Sequence, residues 1–267
     1  MKKLSILVLS ILLIMPFIFL SGCEKKDENV LIDVWDESKA EVSKPVNNLI
    51  EIDSAEELAG LAKEVNNGNS FDGITFKLMI DIDLLNRKWI PIGYCVSFDL
   101  GNSFNGCFDG QNHTIYNLNV KSAIGAGLFG FVNGEIKNLN VKNANVIANS
   151  CVGVVAGNVV NGNINNCHVR NASVNSIYLK KEYIGDKAGS IAGRLKSSNI
   201  INCSAVEVVV GADSEAGQLV GVLNDCDNFD FITNNKIQRV EVLYNKTGRG
   251  LEGNSGRNIK NKFFGVE

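Results

Sequence analysis

The chain has 267 residues with 45% hydrophobic and 7% aromatic side chains, and 26 Lys or Arg against 29 Asp or Glu leave a formal net charge of -3. So few aromatics, with no basic stripe interleaved among them, argue against nucleic acid as a partner. Its 7 cysteines include no C-x-x-C pair, which removes the zinc-ribbon and thioredoxin patterns.

Met1, Lys2 and Lys3 precede an uncharged apolar run, residues 4–20, broken by Pro16. A charged start followed by a short apolar stretch is the pattern of an export signal, and the run falls short of the ~20 residues that cross a bilayer comfortably. It ends in Leu20-Ser21-Gly22-Cys23, which resembles the lipobox of bacterial lipoproteins. That resemblance implies diacylglyceryl modification of Cys23, cleavage before it, and a membrane partner reached through the lipid. Two or more acyl chains, at ~0.8 kcal/mol per buried methylene, hold a protein at a membrane far more firmly than one. The expected organisation is a signal peptide over 1–22, a lipid-anchored tether over 23–49, a folded region over 50–245 and a polar tail over 246–267. The C-terminal stretch is basic: residues 236–267 carry seven Lys or Arg against three Glu, a local +4.

Residues 24–49 are too polar to form a core. Ser54 followed by Glu57 makes a capping box, and Leu58, Leu61, Ala62 and Val65 recur at helical spacing before the Asn67-Gly68 stop, which predicts a helix over 54–67. Residues 76–84 alternate apolar and polar side chains as one half-buried strand does.

From Gly101 onward the chain repeats itself. Ile115-Tyr116-Asn117-Leu118 recurs as Ile136-Lys137-Asn138-Leu139, Ile164-Asn165-Asn166-Cys167 and Ile200-Ile201-Asn202-Cys203, at separations of 21, 28 and 36 residues. Gly-bounded segments at 127–130, 153–157 and 189–193 precede the last three copies, and another lies at 217–221. Helical repeats hold a fixed period, whereas a coil of short strands accepts loops of any length between rungs. The expected fold is therefore all-β, a right-handed parallel β-helix with an N-terminal capping α-helix and a C-terminal end covered by residues 228–245. Leu118, Leu139, Cys167 and Cys203 are expected in one inward column, and Asn117, Asn138, Asn166 and Asn202 in a neighbouring column at a bend, where Asn tolerates left-handed backbone. Gly130, Gly157, Gly193 and Gly221 are expected at corners too tight for a side chain. Cys167 and Cys203 could form a disulfide between rungs or serve as reduced core filler; filler is the favoured reading.

Residues 89–93 (Trp-Ile-Pro-Ile-Gly), residues 104–115 and the Gly-Leu-Phe-Gly segment at 127–130 together resemble bacterial surface proteins carrying the GLUG motif, including regions flanking immunoglobulin-A-cleaving metallopeptidases and adhesin-like lipoproteins. The resemblance spans about residues 50–225 and implies a solenoid scaffold for surface display, without an active site of its own.

A search for chemistry finds little. His113 and His168 are expected on the surface with no nucleophile opposite, H-E-x-x-H is absent, and residues 225–230 lack the Gly and Glu of a calcium loop. Asp81, Asp83, Asp99 and Asp109 are explained by turns or strand edges, and no stacked acidic column emerges. No catalytic residue, metal site or cofactor is therefore assigned. The expected function is a non-catalytic surface lipoprotein of the cell envelope that binds a host-surface protein, a glycan or an envelope polymer, with contacts concentrated in the loop over 173–187. The alternatives are a polysaccharide lyase or hydrolase built on a β-helix, and a structural envelope component.

Overall fold

The computed structural model describes residues 40–97, 100–122, 124–177, 187–212, 215–224 and 232–244. The signal at 1–22, Cys23, most of the tether, Asp99, the calcium-loop candidate at 225–230 and the tail at 246–267 lie outside the described residues.

The chain winds into a parallel β-solenoid of about 6 turns, with one short helix near its start. Leu49–Ile52, Thr75–Leu78, Cys107–Asp109, Glu135–Ala148, Asn163–Ser176, Asn199–Ile201 and Ile232–Thr233 stack in that order as one wall. Phe129–Val132, Ala156–Val160, Ala192–Lys196 and Val220–Asn224 form a second, and Cys151–Val152, Lys187–Gly189 and Glu215–Gly217 a third. Apart from one two-stranded antiparallel pair, Cys95–Ser97 with Leu100–Gly101, the paired strands run parallel.

A five-residue unit explains the long strands. In Glu135–Ala148 the apolar side chains Ile136, Leu139, Val141, Ala144, Val146 and Ala148 are buried. Asn138 and Asn143, five residues apart, take φ of 51° and 59°. Each left-handed residue bends the strand, so that the side chain following it turns inward and two strand segments share one core. The next rung repeats this with Ile164, Cys167, Val169, Ala172 and Val174 buried, and with Asn166 and Asn171 at φ 52° and 55°.

Two amide ladders run up these bends. In one, Asn166 Nδ2 donates to Asn138 Oδ1 at 2.9 Å, and Asn138 Nδ2 donates to the Asp109 carboxylate at 3.0 Å. In the other, Asn171 donates to Asn143 at 2.8 Å, Asn143 to Asn117 at 3.3 Å and Asn117 to the Asp83 carboxylate at 2.7 Å. On the later rungs the second bend carries Glu207 and Arg239, at φ 60° and 51°, and the amides give way to an ion pair between them.

This register corrects the expected columns. Leu139 faces Cys167 directly, and the flanking pairs place Cys203 next in line. Ile115, however, pairs with Val141 and Asn119 with Asn145, so Asn117 and Leu118 stack on Asn143 and Ala144, at the second bend. The first copy of the motif is the second half of a rung, because both halves of a rung share the same five-residue pattern.

Four other expectations are corrected. Residues 76–84 form two strands, Thr75–Leu78 and Ile82–Asp83, parted by a corner that leaves Met79 and Ile80 42% and 46% exposed. The last ten residues of the expected tether belong to the fold: Ala40 is buried, and Gly60, lacking a side chain, admits the backbone of Glu41 against the helix. Within 228–245, the strands Ile232–Thr233 and Lys236–Tyr244 add another parallel rung instead of covering the end. Finally, the strand Asn163–Ser176 runs through the start of the expected 173–187 loop, leaving residues 178–186 of it outside the described residues.

The helix, Ala55–Asn66, links the neighbouring strands Leu49–Ile52 and Thr75–Leu78. Ser54 Oγ accepts from Glu57 N at 3.3 Å, and the Glu57 carboxylate accepts from Asp53 N at 2.9 Å, which satisfies one free donor of the first turn and one just ahead of the N-cap. Leu58, Leu61, Ala62 and Val65 face the core, whose nearby layers are aromatic: Phe76, Phe104, Phe129 and Phe108 follow one another at centroid spacings of 5.8, 5.3 and 5.3 Å.

The pairs Phe129 with Ala156, Ala156 with Ala192 and Ala192 with Val220 align the following residues, Gly130, Gly157, Gly193 and Gly221, in one column. A Cβ on Gly130 would stand 2.5 Å from Gly93 O, a backbone atom that cannot yield without moving the rung. Gly130→Val should lower the unfolding free energy by about 1–3 kcal/mol in a urea titration. Asn143→Ala should cost a comparable ~1–3 kcal/mol by combining left-handed strain with lost amide bonds, while Asn143→Gly recovers the backbone part alone.

Candidate functional site

The alternation of the long strands leaves two outward columns between the ladders. Thr114, Asn140, His168, Ser204 and Lys236 stand in register in one, and Tyr116, Lys142, Arg170, Val206 and Gln238 in the other. A shallow groove of about 250 Å³ lies among Thr114, Tyr116, Asn140, Lys142, His168 and Arg170. Lys142 and Arg170 are exposed cations on consecutive rungs, ~4.8 Å apart at the backbone. Arg170 comes within 4.0 Å of Glu207 at the neighbouring bend.

His168 was expected to face no nucleophile. The structure corrects this: its Nδ1 lies 2.9 Å from Ser204 Oγ, and its Nε2 lies 3.0 Å from Asn166 Oδ1. The two residues share a motif position, one after Cys167 and the other after Cys203, and consecutive rungs bring equivalent positions together.

The direction of these bonds follows from the ladder. A carboxylate only accepts, so Asp109 fixes Asn138 as its donor through Nδ2 and turns Asn138 Oδ1 toward the next rung. Asn166 must therefore present Nδ2 to Asn138, an orientation that its 3.4 Å contact with Asn112 Oδ1 also favours. Its Oδ1 then faces His168, so Nε2 carries the imidazole proton and Nδ1 is left to accept the hydroxyl proton of Ser204. Burial pushes the half-buried His168 imidazole below its ordinary range, which keeps this neutral tautomer present at pH 7.

The other expected positions serve the scaffold. The Asp81 carboxylate accepts from Thr114 N at 2.9 Å and meets His113 Nδ1 at 3.0 Å, and the backbone bond from Thr114 is the main influence holding its pKa low. Asp83 and Asp109 each terminate a ladder and accept a turn N–H, from Leu85 at 2.8 Å and from Gln111 at 3.0 Å. Cys167 and Cys203 are free thiols in the core, with Cys167 N donating to Cys203 Sγ at 3.4 Å, and burial pushes the Cys167 thiol well up. Among the described residues, no three His, Cys, Asp or Glu gather as metal ligands would, and no helix is long and apolar enough to cross a membrane. A second concavity, about 360 Å³, lies between the helix and the early rungs and is lined by Lys63, Lys88, Lys121, Trp89, Pro91 and Tyr94.

The chain matches no family model. Over 119 residues, 40% of its length, it is 31% identical to Halomucin of Haloquadratum walsbyi, and the match spans 1% of that protein. A crystal structure from Bacteroides ovatus, given the provisional description of an immunoglobulin A1 protease, aligns with 72% of this chain and 77% of its own at a TM-score of 0.42 and 19% identity.

Because folding lowers the His168 pKa, the unfolded chain takes up this proton first. The associated stability is whole above the unfolded value of about 6.5 and is lost as pH falls through the lower folded value. Urea midpoints should thus decline from pH 7 to pH 5.5 in the native protein, and His168→Gln should flatten that decline.

Proposed function

We propose that this chain is a surface-displayed lipoprotein of the cell envelope, anchored through Cys23, whose solenoid binds an extended anionic glycan along the outward face of its long strands. The observation that carries this reading is the groove where Lys142 and Arg170 stand in register on consecutive rungs, beside the Tyr116 ring and the Asn140 amide. A linear polymer presents charge and hydroxyls at regular intervals, and a rigid ladder of donors meets it with little ordering cost on the protein side. The lipobox-like segment and the resemblance to GLUG-bearing surface proteins support the envelope setting. Binding, rather than turnover of the polymer, is the primary role in this reading.

Immobilised polygalacturonate, with neutral dextran as the control, tests the proposal by biolayer interferometry. The native solenoid should bind polygalacturonate alone, with affinity falling as salt rises. Lys142→Glu combined with Arg170→Glu should weaken binding by about tenfold or more, a change of roughly 1.4 kcal/mol or more. Both side chains are exposed, so the variant should melt like the native protein. Equal retention of native and double variant would place any binding elsewhere.

A further inference from the structure

We propose that Ser204 is a nucleophile activated by His168, and that the outward face carries a site for acyl transfer from carboxylic esters. This goes beyond glycan binding and stands independently of it. The geometry is that of a nucleophile, a base and a group that orients the base: Ser204 Oγ to His168 Nδ1 at 2.9 Å, and His168 Nε2 to Asn166 Oδ1 at 3.0 Å. Asn166 is a positioning residue. Its amide is itself oriented through Asn138 by the Asp109 carboxylate, so the tautomer that makes His168 a base is set three hydrogen bonds away from it.

The half-buried imidazole is free of the proton it must accept, because burial disfavours its charged form. Two cations lie on neighbouring positions: Lys236 is in register with Ser204 on the next rung, and Arg170, within 4.0 Å of Glu207, is two residues along the strand from His168. Either would have to swing toward Ser204 to bring positive charge to a developing oxyanion.

In the reaction, Ser204 Oγ attacks the ester carbonyl carbon while its proton passes to His168 Nδ1. The new Oγ–C bond forms, the ester C–O bond breaks, and the leaving alkoxide takes the proton from Nδ1 as an alcohol. Water then attacks the acyl-serine through the same base, releasing the carboxylic acid and restoring Ser204. Nothing is oxidised or reduced, and water is the co-reactant.

The test is reaction of the whole folded chain with a fluorophosphonate, followed by peptide mapping. Ser173 provides an internal control: it lies on the same strand as His168 but past the Asn171 bend, and it accepts a bond from Asn175 Nδ2 at 3.0 Å instead of meeting an imidazole. Labelling should fall on Ser204 and spare Ser173, and it should slow by roughly 10²-fold or more in His168→Gln. Release of p-nitrophenol from p-nitrophenyl acetate should drop in parallel in Ser204→Ala and His168→Gln. The proposal is overturned if native Ser204 labels no faster than Ser173, or if His168→Gln, shown folded by its melting curve, labels Ser204 at the native rate. Neither measurement uses a polymer, so failure here leaves the glycan reading intact, and loss of glycan binding leaves this result standing.

Discussion

Parallel rungs can stack only if every rung turns at the same places. A bend in one rung that its neighbour did not share would break the hydrogen bonds between them and leave donors and acceptors buried without partners. Here the bends are left-handed residues, mostly asparagines, held in two columns. An ordinary L-residue resists that backbone, while asparagine tolerates it and offers an amide that both donates and accepts. One residue type thus makes the turn and joins it to the same turn in the next rung.

The ladders also have a direction. Each begins on an aspartate, Asp109 or Asp83, whose carboxylate accepts from the first asparagine and from a turn N–H. Since the carboxylate cannot donate, every amide above it is oriented the same way. In one ladder that orientation passes out of the scaffold at Asn166 and into the side chains of His168 and Ser204. A device for building the coil therefore fixes the protonation geometry of a pair on its surface.

The core changes along the coil. Early rungs are filled by Trp89 and the phenylalanines 76, 104, 108 and 129, while later rungs use Val, Ile, Ala and Cys. The widest filling lies where the helix, a bulkier element than a strand, packs onto the coil. Where neither face needs bulk, Cys167 and Cys203 take the place that Leu139 holds, and the wall closes around them.

Repetition of I-x-N-[LC] and of Gly-bounded segments was enough to read a parallel coil and the inward side of the first half of each long strand directly from the sequence, and the capping box was enough to read the helix. These depend on local pattern: spacing of apolar side chains, tolerance for left-handed backbone, and caps within a few residues. Register depended on tertiary structure. Asn143 and Asn171, five residues beyond Asn138 and Asn166, make the two halves of a rung so similar that they can be aligned either way, and only inter-strand hydrogen bonds placed Asn117 and Leu118 at the second bend. The meeting of His168 with Ser204 has the same origin. They are 36 residues apart, and the length of the intervening loop carries no information on contact until the rungs on either side of it are paired.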